Sequence, residues 1–151
     1  MSQVKKSRMR PRLGLLMAEK GGIYVAEALK RAEATLETLR EPSLNGIDGY
    51  IAAMDALLAD EASPSLIEDL YARAADILSL SGAERNQAVE VAARSLCALL
   101  DEAPGLTPAV LAGARVHVAS IKLLHRAGDD PSMQGPILEG LAALVAKQRM
   151  S

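Results

Sequence analysis

Apolar residues recur along this chain at spacings of three and four, the signature of helices that each bury one face. The first such stripe, Val25, Ala28, Leu29, Ala32, Leu36 and Leu39, predicts a helix over residues 25–40. Glu41-Pro42 is expected to stop it, because a residue before proline is biased out of the helical region. Ser43 can then cap a second helix carrying Leu44, Ile47, Ile51, Met54, Leu57 and Leu58, with Gly46 and Gly49 weakening its first turns. Ser63-Pro64, a cap followed by proline at the first helical position, opens a third helix. That helix carries Leu66, Ile67, Leu70, Ala74, Ile77, Leu78 and Ser81 inward and ends near Gly82.

A fourth helix, residues 84–100, places Ala88, Val91, Ala92, Ser95, Leu96 and Leu99 on its apolar face, and Pro104-Gly105 ends that stretch. Thr107-Pro108 repeats the cap-and-proline device before a fifth, with Val110, Ala114, His117, Ile121 and Leu124 inward and an end at residues 125–128. A sixth is expected from near Pro136, bearing Ile137, Leu141, Leu144 and Val145. Short loops between amphipathic helices imply antiparallel neighbours. The expectation is an all-α helical bundle of about six helices. The last four would form a four-helix bundle, the first two an antiparallel pair packed on it, so that the stripes satisfy one another. Residues 1–20 would be a mobile basic segment and residues 21–151 a single domain.

Composition agrees with this class. The chain has 151 residues, of which 27 are alanine and 23 leucine, the two types that head the helix-propensity ranking. Three tyrosines are its only aromatics, which disfavours a sheet. Seventeen basic and nineteen acidic residues give a net charge of −2. Lys5, Lys6, Arg8, Arg10 and Arg12 precede any acid, so the remainder carries 12 − 19 = −7. A mildly acidic body argues against nucleic acid as the main partner. The segment Leu13-Gly14-Leu15-Leu16-Met17-Ala18 is too short for a signal-peptide core, and no stretch approaches the ~20 apolar residues of a membrane span. The single cysteine, Cys97, forms no internal disulfide and reads as a small buried hydrophobe. A cytoplasmic protein without a metal site or cofactor is the expectation.

Candidate chemistry is sparse. His117 lies on an apolar stripe, where a histidine is ordinarily a core residue. His125 falls near the end of the same helix, where with Arg126 it suits the helix dipole. Neither has a sequence neighbour that suggests nucleophilic catalysis. The acids form polar helix faces, with Glu27/Arg31 and Asp69/Arg73 at the i, i+4 spacing that steadies a helix.

One stretch, Leu70-Tyr71-Ala72-Arg73-Ala74-Ala75-Asp76-Ile77-Leu78-Ser79-Leu80-Ser81-Gly82, followed by a helix ending Ser95-Leu96-Cys97-Ala98-Leu99-Leu100, resembles a helix hairpin of histidine-phosphotransfer (Hpt) domains. That family is a four-helix bundle that relays phosphate between receiver-domain aspartates through an exposed histidine. With Ser81 matched to the motif serine, Asp76 stands at the histidine position, Ser79 at the lysine and Leu80 at the glycine. With Gly82 as anchor, the histidine position falls on Ala75. No register restores a histidine, so the resemblance implies a bundle that binds a receiver domain without accepting phosphate.

The chain is also similar to CheE, a group of small accessory proteins found beside bacterial chemotaxis genes. The similarity rests on Gly21-Gly22, Leu39-Arg40-Glu41-Pro42-Ser43-Leu44, Leu70-Tyr71, Ser95-Leu96-Cys97 and Val116-His117-Val118-Ala119-Ser120-Ile121-Lys122-Leu123-Leu124. It implies a non-enzymatic adaptor in chemotaxis or two-component signalling, whose partner is a receiver domain or histidine kinase. The face around Arg73, Asp76 and Ser79 is the candidate docking surface. Two alternatives stand beside it: an active phosphotransferase using His125 or His117, and a structural helical protein with an apolar surface for a partner or a second copy.

Overall fold

The computed structural model describes residues 24–84, 87–128 and 130–150, which carry helices and connecting turns and no strand. The expected basic segment, residues 1–20, lies outside the described residues. Among the described residues five helices follow one another: α1 Val25–Ala59, α2 Leu66–Glu84, α3 Gln87–Asp101, α4 Pro108–Ala127 and α5 Pro131–Arg149. The chain divides into two units, Met1–Thr35 and Leu36–Ser151.

The first two expected helices are one. α1 runs through Pro42 without a break. The bias against helix before proline is a preference that a continuing helix can override. Ser43 caps nothing; its hydroxyl donates to the Leu39 carbonyl at 2.8 Å. From Ser43 onward α1 is amphipathic as expected, burying Ile47, Ile51, Met54 and Leu58. Gly46 belongs to a close approach, since a Cβ there would meet Leu80 Cδ1 of α2 at 2.7 Å.

The start of α2 is two residues later than Ser63-Pro64 implied. The Ser65 carbonyl accepts from the Asp69 amide at 2.8 Å, and the Ser65 hydroxyl donates to the Asp69 carboxylate at 2.7 Å. Asp69 is therefore engaged by the helix start, and Arg73 pairs instead with Asp76 at 3.0 Å. In α4 the cap is as read: the Thr107 hydroxyl accepts from the Val110 amide at 3.2 Å, with Pro108 at the first position. The Gly128 φ of +63° then ends the helix in a conformation few side chains adopt. α5 begins at Pro131, not near Pro136, because Asp130-Pro131 is a third cap-and-proline device and Pro136 is carried inside the helix.

α3 is the hub. It packs on α2, α4 and α5, and α4 packs on α5. Contact on three sides buries more than one stripe: Val89, Ala93, Cys97 and Leu100 join Ala88, Ala92, Leu96 and Leu99, while Val91 turns outward. The second half of α1 meets α2 at Gly46 and α4 through ion pairs described below. The last four helices therefore pack together through α3, and the second half of α1 lies against α2 and α4. What is corrected is the antiparallel pair expected ahead of them, because α1 is one helix. Among the described residues the six expected helices become five.

One core joins all five, from Ile47 to Val145. Each buried Leu, Ile or Val contributes about 1.5–3 kcal/mol relative to exposure. The stripe on the first half of α1 is the exception to mutual satisfaction, because every residue from Tyr24 to Pro42 is exposed.

Candidate functional site

Arg73, Asp76 and Ser79 step across the exposed side of α2 three residues at a time. The fold links them into one chain of contacts. The Arg73 guanidinium meets the Asp76 carboxylate at 3.0 Å, and Ser79 donates its hydroxyl to the Asp76 backbone carbonyl at 2.6 Å. On its other side the Arg73 guanidinium stacks over the Tyr50 ring of α1, 5.5 Å from the centroid. Such a cation–π contact contributes roughly 0.5–1 kcal/mol at an exposed site. Tyr71, half exposed, stands on the same helix two residues before Arg73.

Beside Arg73 a broad, shallow groove of about 560 Å³ opens between the end of α1 and the start of α2. Ala53, Ala56 and Leu57 give it an apolar floor, and Asp60, Asp69 and Arg73 line its rim. The site is a surface for packing and ion pairing, with no enclosed volume for a reaction. Sequence reasoning found its α2 half. It missed Tyr50 and the groove, because α1 was expected to belong to a separate helix pair.

His117 lies in the core, fully buried. The Gly113 carbonyl can only accept, so His117 Nδ1 carries the proton and donates to it at 2.8 Å. Nε2 is then the acceptor for the Ser95 hydroxyl at 2.9 Å. Burial pushes the imidazole pKa below its ordinary value, against a smaller opposing pull from the Gly113 carbonyl. The sequence, with the two residues 22 positions apart, gave no sign of this Ser–His pair. It lacks an acid to orient it, and the ring has no surface that a substrate reaches.

His125 is the wetter of the two histidines, as its place near a helix end suggests, yet only 7% of its side chain is exposed. It lies across from α1, with Nε2 3.2 Å from an Asp48 carboxylate oxygen. One turn earlier on α4, Lys122 reaches Asp55 of α1 at 2.7 Å. These four residues, with Arg126, line a cleft of about 180 Å³ between α1 and α4. Within it Lys122 is paired with Asp55, and His125 contacts Asp48. Nearby, Arg115 joins the Leu58 carbonyl to the Glu61 carboxylate, tying α4 to the end of α1. The structure thus keeps Arg73, Asp76 and Ser79 together and places both histidines on α4, away from them.

Cys97 is buried, and burial pushes its thiol pKa up, so it holds its proton at neutral pH. Among the described residues no group of three or more His, Cys, Asp or Glu side chains is arranged to hold a metal ion. Among them, too, no helix is long and apolar enough to cross a membrane. No known protein family matches this chain, and neither does any curated protein or solved structure.

Proposed function

We propose that this protein is a non-enzymatic signalling adaptor of the CheE-like kind, acting in the cytoplasm within a chemotaxis or two-component pathway. It binds a receiver domain or histidine kinase through the α2 face formed by Arg73, Asp76 and Ser79, and it accepts no phosphate. One observation carries the reading. Asp76, which stands at the histidine position of the Hpt resemblance when Ser81 is matched to the motif serine, is paired with Arg73 at 3.0 Å on the outer side of a helical bundle. The relay needs a neutral imidazole nitrogen to attack a phosphoaspartate, and a carboxylate does not supply one. The groove beside Arg73 widens the face so that a partner's apolar side chains can pack against Ala53, Ala56 and Leu57.

The double variant Arg73→Glu/Ser79→Arg tests this. Both residues are at the surface, so the bundle should keep its helical circular dichroism while affinity for the partner falls at least roughly tenfold. Unchanged affinity in the folded variant removes the α2 face from the account.

A second reading has its own observation. His125 shares its cleft with Lys122 and Arg126, two cations that suit a phosphoryl group. In that reading His125 is the phosphoacceptor, and Asp48 must swing aside to free Nε2. Radiolabel acquired from a phosphorylated receiver and lost in His125→Ala would establish it.

A further inference from the structure

From Val25 to Pro42 every residue of α1 is exposed, yet the apolar positions are not scattered. Val25, Leu29, Ala32, Leu36 and Leu39 follow one another at spacings of four, three, four and three, a heptad seam with Val25, Ala32 and Leu39 at d and Leu29 and Leu36 at a. Val25 is 77% exposed, Leu29 60%, Leu36 47% and Leu39 49%. The charged residues keep off the seam. Glu27 and Arg31 pair at 2.6 Å, and Glu37 with Arg40 at 3.7 Å, on the flanking and outer positions. A lone helix of this length is marginal in water and takes its stability from packing an apolar face.

We propose that residues 25–39 of α1 are a dimerisation helix that pairs in parallel with the same stretch of a second copy of this chain. Five seam positions over about 21 Å of helix bury on the order of 1,000 Å² in total, the lower bound for a specific interface. A second copy fits because the seam is self-complementary in parallel. Flanking positions then bring Ala28 opposite Glu33 of the other chain and Thr35 opposite Arg40, and no like charges meet. Antiparallel pairing is worse, since no alignment pairs all five seam positions with one another: matching Leu29 with Ala32 and Leu36 with Val25 leaves Leu39 unmatched. Matching Leu29 with Leu39 sets the two Glu33 carboxylates against each other. Matching Leu36 with Leu39 brings Glu33 to Arg40 but needs Ser43 and Gly46, which the bundle already buries or packs against Leu80. The inference does not depend on the signalling role.

Sedimentation equilibrium of the full chain, from roughly 1 to 100 μM, tests it. The expected result is a monomer–dimer equilibrium, with Leu29→Glu/Leu36→Glu raising the dissociation constant at least roughly a hundredfold while the bundle stays folded. For orientation, Leu36→Cys in a Cys97→Ser background should oxidise to a disulfide-linked dimer, because parallel pairing sets position 36 against itself. A chain monomeric throughout overturns the proposal, whether its own residues 1–20 or another protein cover the seam. A dimer that survives the Leu29→Glu/Leu36→Glu change overturns it as well. A seam-dependent dimer that fails to cross-link overturns the parallel arrangement.

Discussion

His117 has both ring nitrogens engaged inside an apolar core, donating to the Gly113 carbonyl and accepting from Ser95. The sequence placed it correctly on the buried stripe of α4 but not its second partner, because hydrogen bonds between helices leave no periodic trace. Two consequences belong to this residue. Its folded pKa lies below the ordinary value near 6.5, so below that pH the unfolded chain binds a proton that the folded one refuses. Stability should therefore be level down to about pH 7 and fall as pH drops through 6.5 and below. The urea midpoint from pH 8 to 5.5 measures this, and His117→Gln should flatten the slope in that window. An unchanged slope would show that His117 is not the group responsible. Ser95→Ala removes the donor to Nε2 and should cost about 1–2 kcal/mol, read from the same urea transitions.

Helix existence and inward faces were legible at the element scale, because propensity, caps and apolar spacing agree for α2, α3, α4 and α5. Helix ends were less so. Pro42 and Pro136 both read as boundaries, and both lie inside helices. Proline withdraws one N–H and crowds one turn, which favours an ending without compelling one. Where proline directly follows a cap residue the reading is secure at Thr107-Pro108, and the same device at Asp130-Pro131 was the signal overlooked for α5. Thr107→Ala should cost about 1 kcal/mol by freeing the Val110 amide, measurable as a lowered thermal midpoint. Gly113 tests the packing of α4. A Cβ there would stand 3.0 Å from a Leu99 methyl and 3.1 Å from a Leu144 methyl. Gly113→Leu should then force α3 and α5 away and cost about 1–3 kcal/mol, whereas Gly113→Ala sets crowding against better helix propensity and should change little.

The whole-molecule arrangement was half legible. An all-α bundle follows from alanine and leucine at helical spacing. How α1 joins that bundle does not, because it depends on α1 being continuous and burying Ile47, Ile51 and Met54 in the shared core. The same continuity decides the candidate site. The α2 residues Arg73, Asp76 and Ser79 were chosen from their sequence context alone, and α1 adds Tyr50 and the groove floor beside them. It also leaves the Val25–Leu39 seam exposed, where mutual packing of all stripes was expected. The proposed function rests on this geometry: an exposed α2 face that carries no histidine, and two histidines on α4 held by partners.

The most direct measurement is titration of the purified full chain with phosphorylated receiver domains and histidine kinases of its own organism. Binding and transfer of radiolabelled phosphate are read on the same samples. The account predicts saturable binding that Arg73→Glu/Ser79→Arg weakens, with no acid-labile label on the chain. Label that His125→Ala removes would contradict it and make the protein a phosphotransferase.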